Sequence, residues 1–588
     1  MRLLEHYQIL FQQLNETDVE LPITVHCIAD LLSCSYRNAK IIIRKLEEEN
    51  WIIWKSGKGR GNYSTIKLLK NVEALVVNEA KRMITPTSID ESIQLLKKYQ
   101  INDSIQREFI DWIFHTYLSE QADIKENRIS RLHFPSYRSL PILDPAFVCR
   151  RSENHLMRHL FSTLITFNQE TNEFLPHLAH YWEHNDDCTN WIFYLQKGVR
   201  FHHGKEMTAE DVRYSFNRHL TNRSPYRWIV QDIKRITVKH EYMVEFLFSK
   251  PSPFFLHVAS SLGGSIVPKD NAGTKNMPIG TGPYKVSENT EDKLMINVFN
   301  DYFLRRPYLD EIIIYFFPQL YDNAAVLNNF SGPEEMNFYH YPYQGREMHN
   351  FEKYTVLDRG SKLLSLNMKQ GIIANNRLLR KAIYHLLSPE KMIQDLGGTR
   401  EKQASHLLEK FEEGPLARSK TVGRKALSES GYNGETLTLI SYNGAGNEID
   451  ARWIQQELLK EGITVQIKFY IYEQLYTLAL DEQADLLLGE QLSYESDLYT
   501  YLSALRGNHS FLTQHISTTM KKRLSAIGER EEEAVAFLKQ VEKKLILDYG
   551  SIHLYRINQF AFYPRYVKGV YFNSLGWTDF TKIWYKER

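Results

Sequence analysis

The segment FLPHLAHYWEHNDDCTNWIFYLQKGVRFHHGKEMTAEDVRYSFNR, Phe174 to Arg218, decides how the larger part of this 588-residue chain is read. Near its end Thr208 stands three residues before Asp211, the spacing at which a hydroxyl and a carboxylate cap a helix start reciprocally. The helix so begun carries Val212 and Phe216 on its apolar side, and Gly204 permits the turn that brings it back against the preceding strand. His177, His180 and His184 fall at i, i+3 and i+7, a spacing that a helix would align on one face as metal ligands. Trp182 ends any such helix, so no metal is expected there. His202 and His203 read as hydrogen-bonding residues of a turn, and nothing in the segment is catalytic.

The same segment closely resembles the signature of the oligopeptide/nickel class, family 5, of bacterial extracellular solute-binding proteins. Pro176, Leu178, Ala179 and Trp182 match first, then Gly198, Val199, Phe201, His202 and Gly204, then Thr208, Ala209, Asp211, Val212 and Ser215. Further blocks follow in the family's order: GTGPYKV (Gly280 to Val286), the stretch from Asn300 to Ile312 with Tyr302 and Leu309, LLSLNMKQ, NNRLLRKAIYHLLSPEKM, LSESGYNGETLTLISYN and WIQQELLKEGITVQI. The resemblance runs from about Leu132 onward, where the pattern turns mixed α/β. It implies a two-lobed α/β fold of the periplasmic-binding-protein kind (type II, cluster C), with crossover strands and a ligand in the cleft. One lobe is expected over residues 132–360 with 555–588, the other over 361–554.

The first 70 residues read differently. Leu3, Leu4, Tyr7, Leu10, Phe11 and Leu14 recur at helical steps. A second helix is expected from Val25 to Leu32, and a third from Tyr36 to about Glu49, capped by Ser35 and burying Ala39, Ile42, Ile43 and Leu46. Its early part carries Arg37, Lys40, Arg44 and Lys45 without an acid, the polarity needed by a helix that enters the major groove by its N-terminal residues. WIIWKSGKGRGNYSTIKL then reads as two strands joined by a glycine-rich tip with Lys58 and Arg60, free of acid from Lys55 to Lys70. Three helices and a basic hairpin make an α+β winged helix-turn-helix. Its candidate DNA-binding residues are Ser35, Tyr36, Arg37, Asn38, Lys40, Arg44, Lys58 and Arg60.

Residues 71–131 read as a helical connector: one helix over Val72 to Ala80, one over Ile89 to Lys98 and one over Asp103 to Leu118. The last bears a stripe of Phe109, Trp112, Ile113 and Tyr117 that suits packing or dimer contact; a polar linker follows from Gln121. A winged helix followed by such a receptor resembles the SgrR type of regulators, whose sensor is intracellular. The function expected is a cytoplasmic one-component transcription regulator that binds double-stranded DNA and a small solute, with paired half-sites suggesting a homodimer. The alternative is a solute-binding adaptor whose winged helix meets protein.

Composition constrains the rest. The formal net charge of +1 supplies no global attraction to nucleic acid, so any DNA contact is local. The four cysteines, Cys27, Cys34, Cys149 and Cys188, lack metal or disulfide spacing, and the first two read as small buried hydrophobes. No apolar run suggests a membrane span or an export leader, and no nucleophile motif, phosphate loop or nucleotide fingerprint suggests an enzyme or a cofactor.

The resemblance also directs attention to the ligand site. Peptide-binding relatives hold the ligand's amine with an aspartate in an Asp-x-x-Asp-Pro segment; in GEQLSYESDLYTYLSAL, Tyr494 falls at the first aspartate and Asp497 at the second. Where dipeptide receptors place a carboxylate-binding arginine, Ser441 and Tyr442 stand. A zwitterionic peptide would lose two charge-assisted contacts, each worth about 1.5–3 kcal/mol. Sugar-like, sugar-phosphate and peptide-like ligands all stay open, with Tyr494, Asp497, Ser441, Tyr442 and Asn367 as candidate contacts.

Overall fold

In the computed structural model, the first helix-forming stretch becomes α1 (Arg2–Leu14), with Tyr7 and Leu10 fully buried. The model describes residues 2–14, 16–57, 63–83, 129–316 and 351–586, short gaps and single positions within them excepted, and scattered positions between 92 and 112. These separate into two compact units, one before residue 128 and one after it.

In the first unit, β1 (Glu20–Pro22), α2 (Val25–Leu31), α3 (Tyr36–Glu48), β2 (Ile52–Lys55), β3 (Thr65–Leu68) and α4 (Val72–Met83) follow α1. The Ser35 hydroxyl accepts from the Asn38 N–H, and Ala39, Ile42, Ile43 and Leu46 are buried as their spacing requires. β1 is an addition to the sequence reading: it pairs antiparallel with β3 and completes a three-stranded sheet in the order β1-β3-β2. The Tyr7 hydroxyl donates to the Lys70 carbonyl, tying the end of the hairpin to α1. Cys27 is exposed and Cys34 half-buried, a correction to the expected buried pair; the inward face of α2 is filled by Ile28 and Ala29 instead. Phe109 is buried and stacks on Trp112; Ile113, Tyr117, the linker from Gln121, Cys149, Lys58 and Arg60 lie outside the described residues.

The second unit holds three sheets that position its cleft. β4 (Arg131–Ser136) lies parallel to β13 (Glu311–Phe316), which continues through β12 (Lys293–Val298) to β11 (Tyr284–Asn289). A second sheet has the order β7 (Ala179–His184), β8 (Asn190–Leu195), β10 (Met243–Phe248), β9 (Ile233–His240), beside a hairpin of β5 (Ile165–Asn168) and β6 (Glu173–Pro176). The third, mixed sheet runs β14 (Phe351–Leu357), β20 (Ser551–Pro564), β15 (Ser361–Leu366), β19 (Leu486–Gln491), β17 (Leu437–Tyr442), β18 (Val465–Tyr470), with β16 (Arg400–Gln403) paired to β20. β20 joins the lobes: its Ile552, Leu554 and Tyr555 belong to the core of the second lobe, and its Ala561 and Tyr563 to that of the first.

The opening segment behaves as a structural block. Asp211, at the start of α6 (Ala209–Asn217), accepts from both the N–H and the hydroxyl of Thr208, while its other oxygen accepts from the Lys269 N–H. His202 accepts from Gly280 N–H at Nδ1 and contacts the Gly282 carbonyl at 3.1 Å through Nε2, clamping the GTGPY turn. The histidine triplet does not share a helix: His177 follows β6, and His180 and His184 lie on β7. Among the described residues no group of His, Cys, Asp or Glu has metal-holding geometry, and no helix is long and apolar enough to cross a membrane.

Two glycines in this block are expected to respond differently to alanine. Gly204 has φ +92° but open space around a built Cβ, so Gly204→Ala should cost about 1–2 kcal/mol from strain alone. At Gly280 a Cβ would sit 2.1 Å from the Leu160 carbonyl oxygen and 2.7 Å from the Phe161 ring, so Gly280→Ala should cost about 3 kcal/mol. Urea denaturation followed by tryptophan fluorescence checks both, and equal losses would contradict the packing account.

Candidate functional site

Two surfaces gather the chemistry, one in each unit. On α3, Ser35, Tyr36, Arg37, Asn38, Lys40 and Arg44 are exposed along one side while the apolar positions face inward. Lys40 lies with its ammonium 4.7 Å from the Tyr36 ring centroid, and Tyr36 packs on His26 of α2 at 4.6 Å. Arg44 is not free: its Nε donates to Glu48 at 2.9 Å, one turn later. The wing is less basic than its own sequence suggests, because the unanticipated β1 region supplies acids. Glu20 pairs with Lys55, and Asp18 pairs with Lys67 at 3.2 Å. Among the described residues, the exposed cations of α3 outside any ion pair are Arg37 and Lys40 at its start and Lys45 in its last turn.

In the second unit a cavity of about 280 Å³ lies between the lobes. Its floor is α5 (Arg151–Leu160), whose first residues line it; Arg158 and His159 at the other end line a second cavity of about 330 Å³. Almost the whole of α5 is buried, polar side chains included: Glu153, Asn154, His155 and His159 are each at most 3% exposed. Each ionic one is matched. Arg138 donates both of its terminal nitrogens to Glu153 at 2.5 Å. Arg151 binds Asp358 at 2.5 Å and Glu490 at 3.3 Å. Arg158 reaches Glu495, which also accepts from Ser574 at 2.9 Å. Behind the opposite wall, buried Asp450 takes Arg400 at 2.7 Å and Lys362 at 3.6 Å.

The residues expected to touch ligand divide into two groups. Tyr494 and Tyr442 line the interlobe cavity, and Tyr494 also lines the second one. Its ring packs edge-on against Tyr499 at 4.9 Å, and Tyr499 in turn meets Trp228 of the first lobe at 5.8 Å. Ser441, Asn367 and Asp497 are not on the cavity walls. Ser441 donates its hydroxyl to the Leu488 carbonyl, and Asn367 bridges the Ala484 carbonyl and the Lys369 N–H. Asp497, at the start of α7 (Asp497–Arg506), is held by Arg359 at 2.7 Å and by Lys410. Its carboxylate is already neutralised and cannot replace the missing amine partner at Tyr494.

Sequence reasoning passed over Arg150, Arg151, Lys362, Trp228 and Tyr472, all of which line the cavity. One signal was present: adjacent arginines at a helix start oppose the helix dipole, so something other than helix stability places them there.

Comparison with known proteins supplies the remaining evidence. Residues 173–511 match the bacterial extracellular solute-binding proteins, family 5 Middle, and residues 2–111 match the sugar transport-related sRNA regulator N-term family. An uncharacterised Bacillus subtilis protein, YhjP, is 31% identical over 99% of this chain and 100% of its own length. The HTH-type transcriptional regulator SgrR of Yersinia pestis (strain Pestoides F) is 24% identical over 99% of this chain and 98% of its own. Among solved structures, the periplasmic binding protein DppA of Helicobacter pylori, in complex with the peptide STSA, superposes with a TM-score of 0.67. It is 22% identical and covers 78% of this chain and 98% of its own.

Beside the cavity, Ser361 contacts Nδ1 of buried His553, whose Nε2 lies 3.5 Å from Glu542. Burial pushes the Glu542 carboxyl up to about 7, against hydrogen bonds from the Leu407 N–H and the Tyr501 hydroxyl. The folded state therefore holds this proton where the unfolded chain has lost it, so stability falls as pH rises from the ordinary carboxylate range to about 7. The loss amounts to about 3 kcal/mol. Glu542→Gln should remove it, so that wild type and variant diverge between pH 5 and 8 in urea denaturation; parallel pH profiles would contradict this.

Proposed function

The chain belongs to the family 5 bacterial extracellular solute-binding proteins, and from that premise we propose that it is a cytoplasmic one-component transcription regulator. Residues 1–70 read DNA, residues 71–131 connect, and residues 132–588 sense a small solute. The observation that carries the DNA reading is the exposed start of α3. Tyr36, Arg37, Asn38 and Lys40 face outward beyond a capped N-terminus while Ala39, Ile42 and Ile43 hold the helix on its core. A helix presented in this way suits the major groove, and a homodimer would place two of them on paired half-sites. The full-length similarity to regulators named SgrR supports the assignment.

For the sensor, the closed interlobe cavity supports binding of a compact solute. Its aromatic walls (Tyr226, Trp228, Tyr442, Tyr472, Tyr494 and Trp577) suit the faces of a sugar-like body, and the amine partner a peptide requires is absent at Tyr494. Ligand that binds the closed cleft more tightly than the open one shifts the population toward closure, and DNA affinity changes with it. The pairing of Lys55 and Lys67 with acids favours the adaptor reading over the wing, though not over α3.

Fluorescence anisotropy on DNA selected from a genomic library by the purified chain tests the reader. Arg37→Ala and Lys40→Ala should each weaken binding about tenfold or more, and each should lower the salt slope by about 1 if the contact is to phosphate. Affinity indifferent to salt and to both substitutions would transfer the assignment to the adaptor. Native mass spectrometry of the chain after exposure to a metabolite extract should show a retained small molecule, and a bare chain would count against the sensor.

A further inference from the structure

Among the described residues the charges around the interlobe cavity do not cancel. Five cations line it: Arg138, Arg150, Arg151, Lys362 and Arg400. Among the described carboxylates four are within ion-pair reach of them: Glu153 on Arg138, Asp358 and Glu490 on Arg151, and Asp450 on Arg400 and Lys362. Arg150 is the cation left over; among the described residues no carboxylate lies within ion-pair distance of it. Its guanidinium is nevertheless held in place. It lies 5.5 Å from the Tyr442 ring centroid and 5.1 Å from that of Tyr472, with one weak hydrogen bond to the Asn443 carbonyl at 3.5 Å.

A half-buried cation held by two aromatic faces is oriented without being ion-paired, which is how a site awaits an anion. The helix geometry acts in the same direction. Arg150 is the N-cap of α5 and no side chain caps it, so the positive end of the helix dipole opens on the same cavity. A neutral ligand would leave this surplus charge in place.

We propose that the interlobe cavity takes a small solute bearing one oxyanion, a carboxylate or a phosphate ester, bound by Arg150 between Tyr442 and Tyr472 with the body of the ligand on the aromatic walls. This rests on the reading of the cleft as a solute site and names the chemistry of what enters it.

Isothermal titration of the full chain with phenyl phosphate, benzoate and phenol, which share one ring and differ in the charged group, tests it. One or both anions should bind at least tenfold more tightly than phenol, and the tighter of the two identifies the oxyanion. Arg150→Gln should abolish the difference and Arg150→Lys should keep part of it. Tyr472→Leu, which retains the charge but removes one of its supports, should weaken the anions by a larger factor than it weakens phenol and so narrow the difference; it decides the matter if Arg150→Gln does not fold. Equal binding of phenol, an anion preference that survives both Arg150→Gln and Tyr472→Leu, or binding of none of the three overturns the oxyanion site. The solute reading is judged separately, since a neutral molecule retained in native mass spectrometry would uphold it while the oxyanion fails.

Discussion

The second unit is organised around the burial of α5. A helix written Arg-Ser-Glu-Asn-His-Leu-Met-Arg-His-Leu would ordinarily lie on a surface, yet it is enclosed almost entirely. Enclosing charge is expensive unless each ion meets a partner. The partners here come from both lobes and from the strands that join them: Asp358 beyond β14, Glu490 on β19, Glu495 after it, and the carbonyl of Leu575. The cleft as it stands is thus the arrangement in which the ionic groups of α5 are paired. Opening it would leave Arg151 and Arg158 in need of water or ligand in place of protein carboxylates.

That dependence also explains which walls the cavities have. The start of α5 faces one chamber and its end the other, with Tyr494 standing between them. A single helix of ten residues, about 15 Å long, therefore contributes charged groups to both chambers, while the aromatic rings that enclose them come from several elements. Mutating any one ring removes packing; mutating the helix removes the register of the whole site.

Much of the fold was legible because its determinants are local. Thr208 with Asp211, Ser35 with Asn38 and the apolar steps of α1 and α3 are fixed by residues a turn apart, and each appears where its spacing places it. The candidate site was legible only in part, because its residues acquire meaning from distant partners. Asp497 looked available until Arg359, remote in sequence, claimed it; Ser441 turned inward to the Leu488 carbonyl of β19 and Asn367 to the Ala484 carbonyl just before that strand. The acid-free hairpin lost that character to Asp18 and Glu20, the one just before and the other at the start of a three-residue strand too short to leave a periodic signal. The buried polar α5 was invisible for the same reason in reverse: nothing within it distinguishes a solvated face from one enclosed by other parts of the chain.

β20 carries a consequence for the order in which the protein is made. The first lobe is closed by residues far along the chain: Ala561 and Tyr563 complete its core, Phe134 packs on Phe580 at 5.6 Å, and the Tyr585 hydroxyl reaches the Arg131 carbonyl. On a translating ribosome the winged helix, tied to itself through Tyr7 and Lys70 and to the following helices through α4 and the Glu5–Lys98 pair, is synthesised long before then. The first lobe of the second unit must wait, half-built, for several hundred more residues, a separation that slows folding by its contact order alone. A nascent chain therefore passes through a long interval with its first unit synthesised and its second unfinished, the interval in which chaperone capture and proteolysis have their opportunity.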